Sequence, residues 1–502
     1  MANWAIGFEA VFALLPLMLL LIGVTLGVVV GALPGLTATM SVAVLLPFTF
    51  SLDPVPGMML LLGVYGGALY AGSIPAILIK TPGTPSAAAT VLDGYPMASD
   101  GRAGQGLTIS VIASGVGGII GALLLGFFSP SLADLALSLN APHIFMITVF
   151  ALTVIASISE GFLIKGLLTG TLGIAISLVG LDPMQGYPRM TFGIDQAVAG
   201  FALIPVLIGV FGVGEGLSKF EQLRKGSRPR TPIGSFWPPR DELRLIGWPI
   251  GGSSVLGFGV GVLPGVGGDI GAFVAYNETK RMAKKNPRFG KGDPRGVAAA
   301  ESANSASTAG ALVPLLTLGI PGDTVGAILL GAITVHGLRP GPELFSGSPD
   351  LVYGMFVGFI LVYLAIIAIG LLGVRMWARV LQLRTEFLWP AVLVLCVVGS
   401  FALRNSLFDV TVMLFSGIVG YLLMKGRYPL APLVIGLIIG PIMERNYRRT
   451  MTIHRGSFDW LLDPIVVTLI VMIVAALVLA VTRARRDRSK QDQPIAPEAP
   501  GT

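Results

Sequence analysis

Residues 310–323 read GALVPLLTLGIPGD, an apolar run interrupted by Pro321-Gly322, and the same plan occurs 239 positions earlier in residues 72–84, GSIPAILIKTPGT. Pro75 and Pro82-Gly83 match Pro314 and Pro321-Gly322 at the same seven-residue spacing. A second pair of motifs repeats in the same order: Gly31, Leu33, Pro34 and Gly35 of GALPG return as Gly261, Leu263, Pro264 and Gly265 of GVLPG, at an offset of 230. Proline withholds a backbone donor and glycine relaxes the backbone, so an apolar helix unwinds at each of these places. Two interrupted apolar segments in each half predict a duplicated scaffold built from discontinuous helices.

The surrounding composition places those segments in a bilayer. Of 502 residues, 53% are hydrophobic and 12% charged, with a mean hydropathy of +0.80. That is too little polar surface for a soluble globule, and the chain reads as an all-α polytopic membrane protein. Runs of spanning length recur from residue 10 to residue 482, the first predicting one helix over residues 4–31. Shorter or interrupted stretches near 36–50, 299–320, 324–337 and 429–443 either span or dip in and return, giving about a dozen transmembrane or re-entrant helices. The first run is too long for a secretory signal and has Glu9 where a positive flank belongs. The single cysteine, Cys396, excludes a disulfide framework. With three histidines, and no ligand companion near His336, a metal centre is not expected. The formal charge of +7 comes from cations in short loops beside apolar runs, which set orientation and offer no face for nucleic acid.

Charge also separates the two halves. The loop over 47–57 carries no Lys or Arg, whereas its counterpart, RMAKKNPRFGKGDPR at 281–295, is strongly basic. Equivalent loops so different in charge belong on opposite sides of the membrane, which predicts two inverted structural repeats. The expected organisation is a first membrane repeat at 1–218, a cytoplasmic connector rich in proline and cations at 219–244, a second repeat with C-terminal helices at 245–482, and a polar tail at 483–502, disordered from 491.

Polar residues gather at the interruptions. Glu301, Ser302, Asn304, Ser305, Ser307 and Thr308 fall within eight residues, ahead of the Pro321-Gly322 break. Such residues glue membrane helices together or hold a ligand; their place beside a broken helix favours the ligand. Thr84-Pro85 starts a helix with Ser86 in its first turn, and the exposed amides there suit an anion. The expected substrate contacts are Gly35, Thr37, Gly83, Thr84, Ser86, Ser302, Asn304, Ser305 and Gly322. A coupling cation has Gly265, Asp269, Asn304 and Asp323 as candidate ligands. Asp269 and Asp323 are equally suited to capping helices, and a carboxylate repels an anionic substrate. A channel would need a continuous polar pore lining, and a membrane-embedded enzyme a nucleophile with its base; neither pattern is present. No catalytic residue or resident cofactor is expected.

Taken together, GALPGL, YGGALYAGSIPAILIKTPGTPSAAATVLDGYPM, GVLPGVGGDIGAFVAYNETKR, ESANSAS, LVPLLTLGIPGD and HGLRPGP resemble the large membrane subunit of the tripartite tricarboxylate transporters, the TctA family. The resemblance covers about residues 10–480 and departs at Ser305, where a second asparagine is common in that family. It implies a multi-pass permease of a bacterial inner membrane, working with a small TctB-like membrane subunit and a periplasmic TctC-like solute-binding protein. It further implies import of carboxylates of the tricarboxylate or dicarboxylate class, coupled to sodium or protons.

Overall fold

The computed structural model describes residues 2–33, 36–158, 163–182, 185–222, 234–264, 267–283, 287–380 and 388–491. The chain divides into two compact units, one formed by Met1–Leu139 with Val179–Gly426 and the other by Asn140–Leu178 with Arg427–Thr502. The predicted connector and tail fall partly, and the segment expected to be disordered almost wholly, outside the described residues.

The chain begins with α1 (Ala2–Phe12) and α2 (Leu14–Ala32) in place of the single helix expected over 4–31. Pro16 has no amide for the Phe12 carbonyl and its ring crowds that group, so the helix parts at Ala13, whose ψ is 147°. After the first interruption come α3 (Ala38–Leu45), α4 (Pro54–Ala71) and α5 (Ser73–Ile79); after the second, α6 (Ala87–Ser99) and α7 (Ala103–Leu137). Next are α8 (Ala141–Ile158) and α9 (Leu163–Ser177), a two-residue antiparallel strand pair at Gly180–Leu181 and Pro188–Arg189, α10 (Leu203–Leu207), a π-helical turn at Ile208–Gly214 and α11 (Glu215–Gln222). The second half runs through α12 (Arg240–Gly261), α13 (Gly267–Met282), α14 (Pro294–Leu318), α15 (Thr324–Val335), α16 (Leu344–Gly347), α17 (Pro349–Val380), α18 (Leu388–Arg404), α19 (Leu407–Lys425), α20 (Leu430–Ile453) and α21 (Pro464–Gln491). Among the described residues, six helices are long and apolar enough to cross a membrane, beside several shorter apolar ones.

The interruptions are built alike. At the end of α5, Lys80 takes the left-handed conformation (φ 57°) and the Thr81 amide reaches back 3.2 Å to the Pro75 carbonyl. At the end of α14, Gly319 does the same (φ 68°) and the Ile320 amide lies 3.2 Å from the Pro314 carbonyl. These are one helix-closing device at positions 239 apart, satisfying carbonyls that the broken helix leaves open. Gly83 and Gly322 then fold the chain back onto its own helix. A Cβ on Gly83 would lie 2.8 Å from Gly72 Cα, and one on Gly322 2.5 Å from the Ala311 carbonyl. Shortly before the other pair of interruptions, Leu33 donates to Val30 at 3.0 Å and Leu263 to Val260 at 3.1 Å.

Glycine contacts also set the direction of each helix pair. Gly27 and Gly31 of α2 abut Val64 and Ala68 of α4, and Gly257 and Gly261 of α12 abut Ala303 and Ser307 of α14, so both pairs run parallel. Gly117 and Gly121 of α7 meet Ser302 and Ala306, making α7 parallel to α14. Gly115 and Gly126 of α7 meet Ile367 and Phe356, making α7 antiparallel to α17. Met59 and Gly66 of α4 meet Gly358 and Val362, so α4 and α17 run parallel. Such backbone approach tolerates no side chain, since a Cβ on Gly27 would stand 2.5 Å from the Val64 carbonyl oxygen. Gly27→Val is expected to destabilise the protein by about 1–3 kcal/mol or to prevent its folding, read as thermal unfolding in detergent. Gly259→Val, where nothing lies within 4 Å, is expected to leave the transition in place.

The second unit packs α20 on α9 through Gly436 and Gly173. It ties α8 to the start of α21 by His143 Nε2, 3.0 Å from Asp463 Oδ1, over an aromatic cluster of Phe145, Tyr447 and Trp460.

Candidate functional site

Helix α14 carries the polar run through the middle of the first unit, and each of its faces meets a different helix. Ser302 turns toward Gly117 of α7, while the Ser305 carbonyl and Thr308 Oγ1 meet the Tyr363 hydroxyl of α17 at 3.0 and 2.7 Å. On the next face α13 descends antiparallel to α14: Tyr276 lies by Gly296, Ala272 by Ala300 and Gly268 by Asn304. Beside it α6 also runs antiparallel, with Asp93 at Gly296 and Ala89 in one cluster with Ala272 and Ala300. Carried one turn further, that register sets Ser86 level with Asn304. Two helices that follow Pro-Gly interruptions therefore begin at one level of α14, that of Asn304.

Asn304 is only 2% exposed, yet neither its Oδ1 nor its Nδ2 has a hydrogen-bond partner. An unpaired buried amide costs about 1–3 kcal/mol per group, so its persistence at a helix break points to a ligand that pairs it. A Cβ on Gly268 would lie 2.6 Å from Asn304 Oδ1 and 2.7 Å from Ser307 Oγ, so the glycine keeps space open before the amide. Ser305 Oγ, also buried, is likewise without a partner. Thr84 Oγ1 and Ser86 Oγ stand 3.1 Å apart, both buried, and the Ala87 amide lies 3.3 Å from Thr84 Oγ1. The Thr84 hydroxyl thus caps the helix start as expected, and after a first turn closed by the amides of Ala87, Ala88 and Ala89 on the carbonyls of Thr84, Pro85 and Ser86, the α-helix proper runs from Ala87.

The other candidates divide. Asp323 caps α15, accepting from the Gly326 amide at 2.6 Å, and accepts a short hydrogen bond from the Tyr65 hydroxyl of α4. Gly267 approaches it, and Asp269 stands in the first turn of α13. Thr37 caps α3 through the Met40 amide at 3.2 Å and donates to Glu215 Oε2 at 2.9 Å, which engages it with α11. Gly83 and Gly322 serve the two fold-backs. Gly35 and Gly265 lie outside the described residues. No group of three or more His, Cys, Asp or Glu suited to a metal ion occurs among the described residues.

Three residues that shape this region escaped the sequence reading. Glu301, noted in the polar run but not chosen, is 1% exposed; it accepts from Ser114 Oγ of α7 at 2.9 Å and, in a shorter contact, from Thr90 Oγ1 of α6. Tyr65, on Asp323, was legible in principle: the 239-residue offset pairs it with Asn304. Asp93 latches the basic loop, its Oδ1 accepting from the amides of Gly290, Gly292 and Asp293 at 2.7, 3.0 and 2.9 Å, and its Oδ2 from Tyr276 Oη at 2.9 Å. Next to it, burial alone would raise the Asp293 carboxyl, but Arg295, bonded at 2.7 and 2.9 Å, holds it below the usual range.

Comparison with known proteins agrees with the motifs. Residues 17–435 match the profile described as Tripartite tricarboxylate transporter TctA family. An uncharacterized 52.8 kDa protein of Agrobacterium vitis, from the TAR-I ttuC' 3' region, is 35% identical over 491 residues, 97% of this chain and 98% of its own length. An uncharacterized protein from the TAR-II ttuC' 3' region of the same organism is 34% identical over 235 residues, 47% of this chain and 96% of its own. No solved structure matches. With its apolar helices, its paired interruptions and a profile match over most of its length, the chain is a multi-pass membrane protein that belongs to the TctA family of tripartite tricarboxylate transporters.

Proposed function

We propose that this chain is the carrier subunit of a secondary transporter in a bacterial inner membrane. It imports carboxylates of the tricarboxylate or dicarboxylate class that a periplasmic solute-binding protein delivers, with a small membrane subunit as companion and a sodium or proton gradient as the driving force. Its two halves form inverted repeats of about a dozen transmembrane or re-entrant helices. Support for the inversion comes from the helix directions: α4 runs with α17, α17 against α7, and α7 with α14, so α4 and its counterpart α14 run oppositely. A third matched pair extends the repeat, LIPVLIGV at 203–210 and LAPLVIGL at 430–437.

The observation that carries the reading is a difference between equivalent positions. Tyr65 and Asp323 correspond, 239 residues apart, to Asn304 and Thr84. In one repeat a long tyrosine reaches the start of α15 and closes the gap by bonding Asp323. In the other, the shorter Asn304 leaves its amide unpaired beside the start of α13 and level with that of α6. A substrate carboxylate fits there, accepting from the Asn304 amide, from Ser86 and Thr84, and from amides at the start of α13, whose dipole favours negative charge. Asp323, engaged by the Tyr65 hydroxyl and the Gly326 amide, serves as the cap of α15 and not as a substrate contact.

The test is uptake of labelled citrate by membrane vesicles containing the chain and its two partner subunits. The expected flux saturates with citrate and needs an imposed sodium or proton gradient. Flux that rises linearly with citrate and ignores both gradients would replace the carrier with a channel.

A further inference from the structure

The geometry points to Glu301 as a proton-binding site of the transport cycle, separate from the substrate seat and one helical turn from it. The inference rests on the carrier reading and deepens it by naming the coupling ion.

Glu301 lies in the interior of the first unit, where α14, α6 and α7 meet, and is 1% exposed. It forms no ion pair among the described residues; its partners are hydroxyls, Thr90 on one carboxyl oxygen and Ser114 on the other. An ionised carboxylate sealed from water without a counter-charge is costly, and membrane proteins keep such groups where they serve transport. Packing as glue accounts poorly for it, since glutamine would make the same contacts without the charge.

The surrounding titratable groups are committed elsewhere. On α6, Asp93 is held by Tyr276 of α13 and by loop amides. On α14 itself, Arg295 is paired with Asp293. Tyr363 of α17 is bonded to Thr308 and Ser305, and Asp269 stands in the first turn of α13, one turn beyond Ala272. Tyr70, at the end of α4, lies within electrostatic reach of Glu301. Helix α5 has none, and α7 has none before Asp134; the charged residues of α12 lie in its first turns, over 240–244.

The ion we infer is a proton: each carboxyl oxygen already accepts from a hydroxyl, contacts that a coordinated metal cation would have to displace and that a proton leaves in place. On loading, the carboxylate takes a proton supplied by a hydronium ion of the aqueous phase, which is left as water, and becomes the neutral acid. Thr90 or Ser114 rotates from donor to acceptor, and no other group changes charge. Ser110, one turn before Ser114, is bonded to Ser73 of α5 at 2.7 Å and extends the hydroxyl chain to the residue after Gly72, where a Cβ would lie 2.9 Å from Thr84 Oγ1 of the seat. Coupling follows from shared helices. Thr90 and Ser86 lie one turn apart on α6, as Glu301 and Asn304 do on α14, so a change in the Thr90–Glu301 contact moves the start of α6 against the amide.

Two measurements on the full-length protein test this. Infrared difference spectra between acid and alkaline buffer are expected to contain a titrating carboxylic-acid band that Glu301→Gln removes and Glu301→Asp restores at a shifted position. In vesicles with the partner subunits, Glu301→Gln is expected to lose proton-driven citrate accumulation at least tenfold while keeping citrate–citrate exchange. An unchanged infrared band in Glu301→Gln, or accumulation equal to wild type, overturns the proposal. A wild type that moves no citrate counts against the carrier reading alone, and the band then decides the proton site.

Discussion

Asn304→Ala is expected to lower citrate uptake about a hundredfold without lowering the stability of the protein. A hydrogen bond to a charged ligand contributes about 1.5–3 kcal/mol, and each 1.4 kcal/mol is a factor of about ten, so losing the amide's bond and its orientation of the carboxylate costs roughly two decades. Stability moves the other way. The Asn304 amide is buried and unpaired, so alanine removes an unmet polar group rather than a partner. If Asn304 merely joined helices, its loss would lower the thermal transition instead. The two measurements, uptake and unfolding in detergent, therefore distinguish a ligand seat from helix glue, and normal uptake by the variant would remove the seat from Asn304.

Gly268→Ala is expected to be nearly as damaging, by filling the space instead of removing the donor. The added methyl would stand 2.6 Å from Asn304 Oδ1 and 2.7 Å from Ser307 Oγ, both ends of side chains that can swing aside. The protein folds, but the amide turns away from its ligand, and uptake falls at least tenfold, the loss of about one such bond. Gly271→Ala, one turn along α13, is the control: its Cβ would meet neighbours at 3.7 Å and beyond, an ordinary contact. Equal uptake in the two variants would separate Gly268 from the site.

The interruptions were readable without coordinates because a helix break is local chemistry. Pro75, Lys80, Thr81 and Gly83, and equally Pro314, Gly319, Ile320 and Gly322, close their helices with groups no more than eight positions apart. Local rules also misjudged one boundary. The first helix parts at Ala13 because Pro16 acts one turn before itself, whereas the Thr84 cap before α6 stands where the sequence places it. Tyr65 could have been selected beside Asn304 by the 239-residue offset, had the repeat been applied to single residues as well as to motifs.

What the sequence determined by itself is the membrane setting, the duplicated plan and the places where helices stop, since composition, Pro-Gly chemistry and repeated spacing act over a few residues. The tertiary structure alone decided which polar groups find partners. Thr90 and Ser114 reach Glu301 across 211 and 187 residues, and Tyr65 reaches Asp323 across 258, while Asn304, in the same helix as Glu301, is left unpaired. Burial without a partner depends on what every neighbouring helix brings to that level, which no stretch of chain specifies alone.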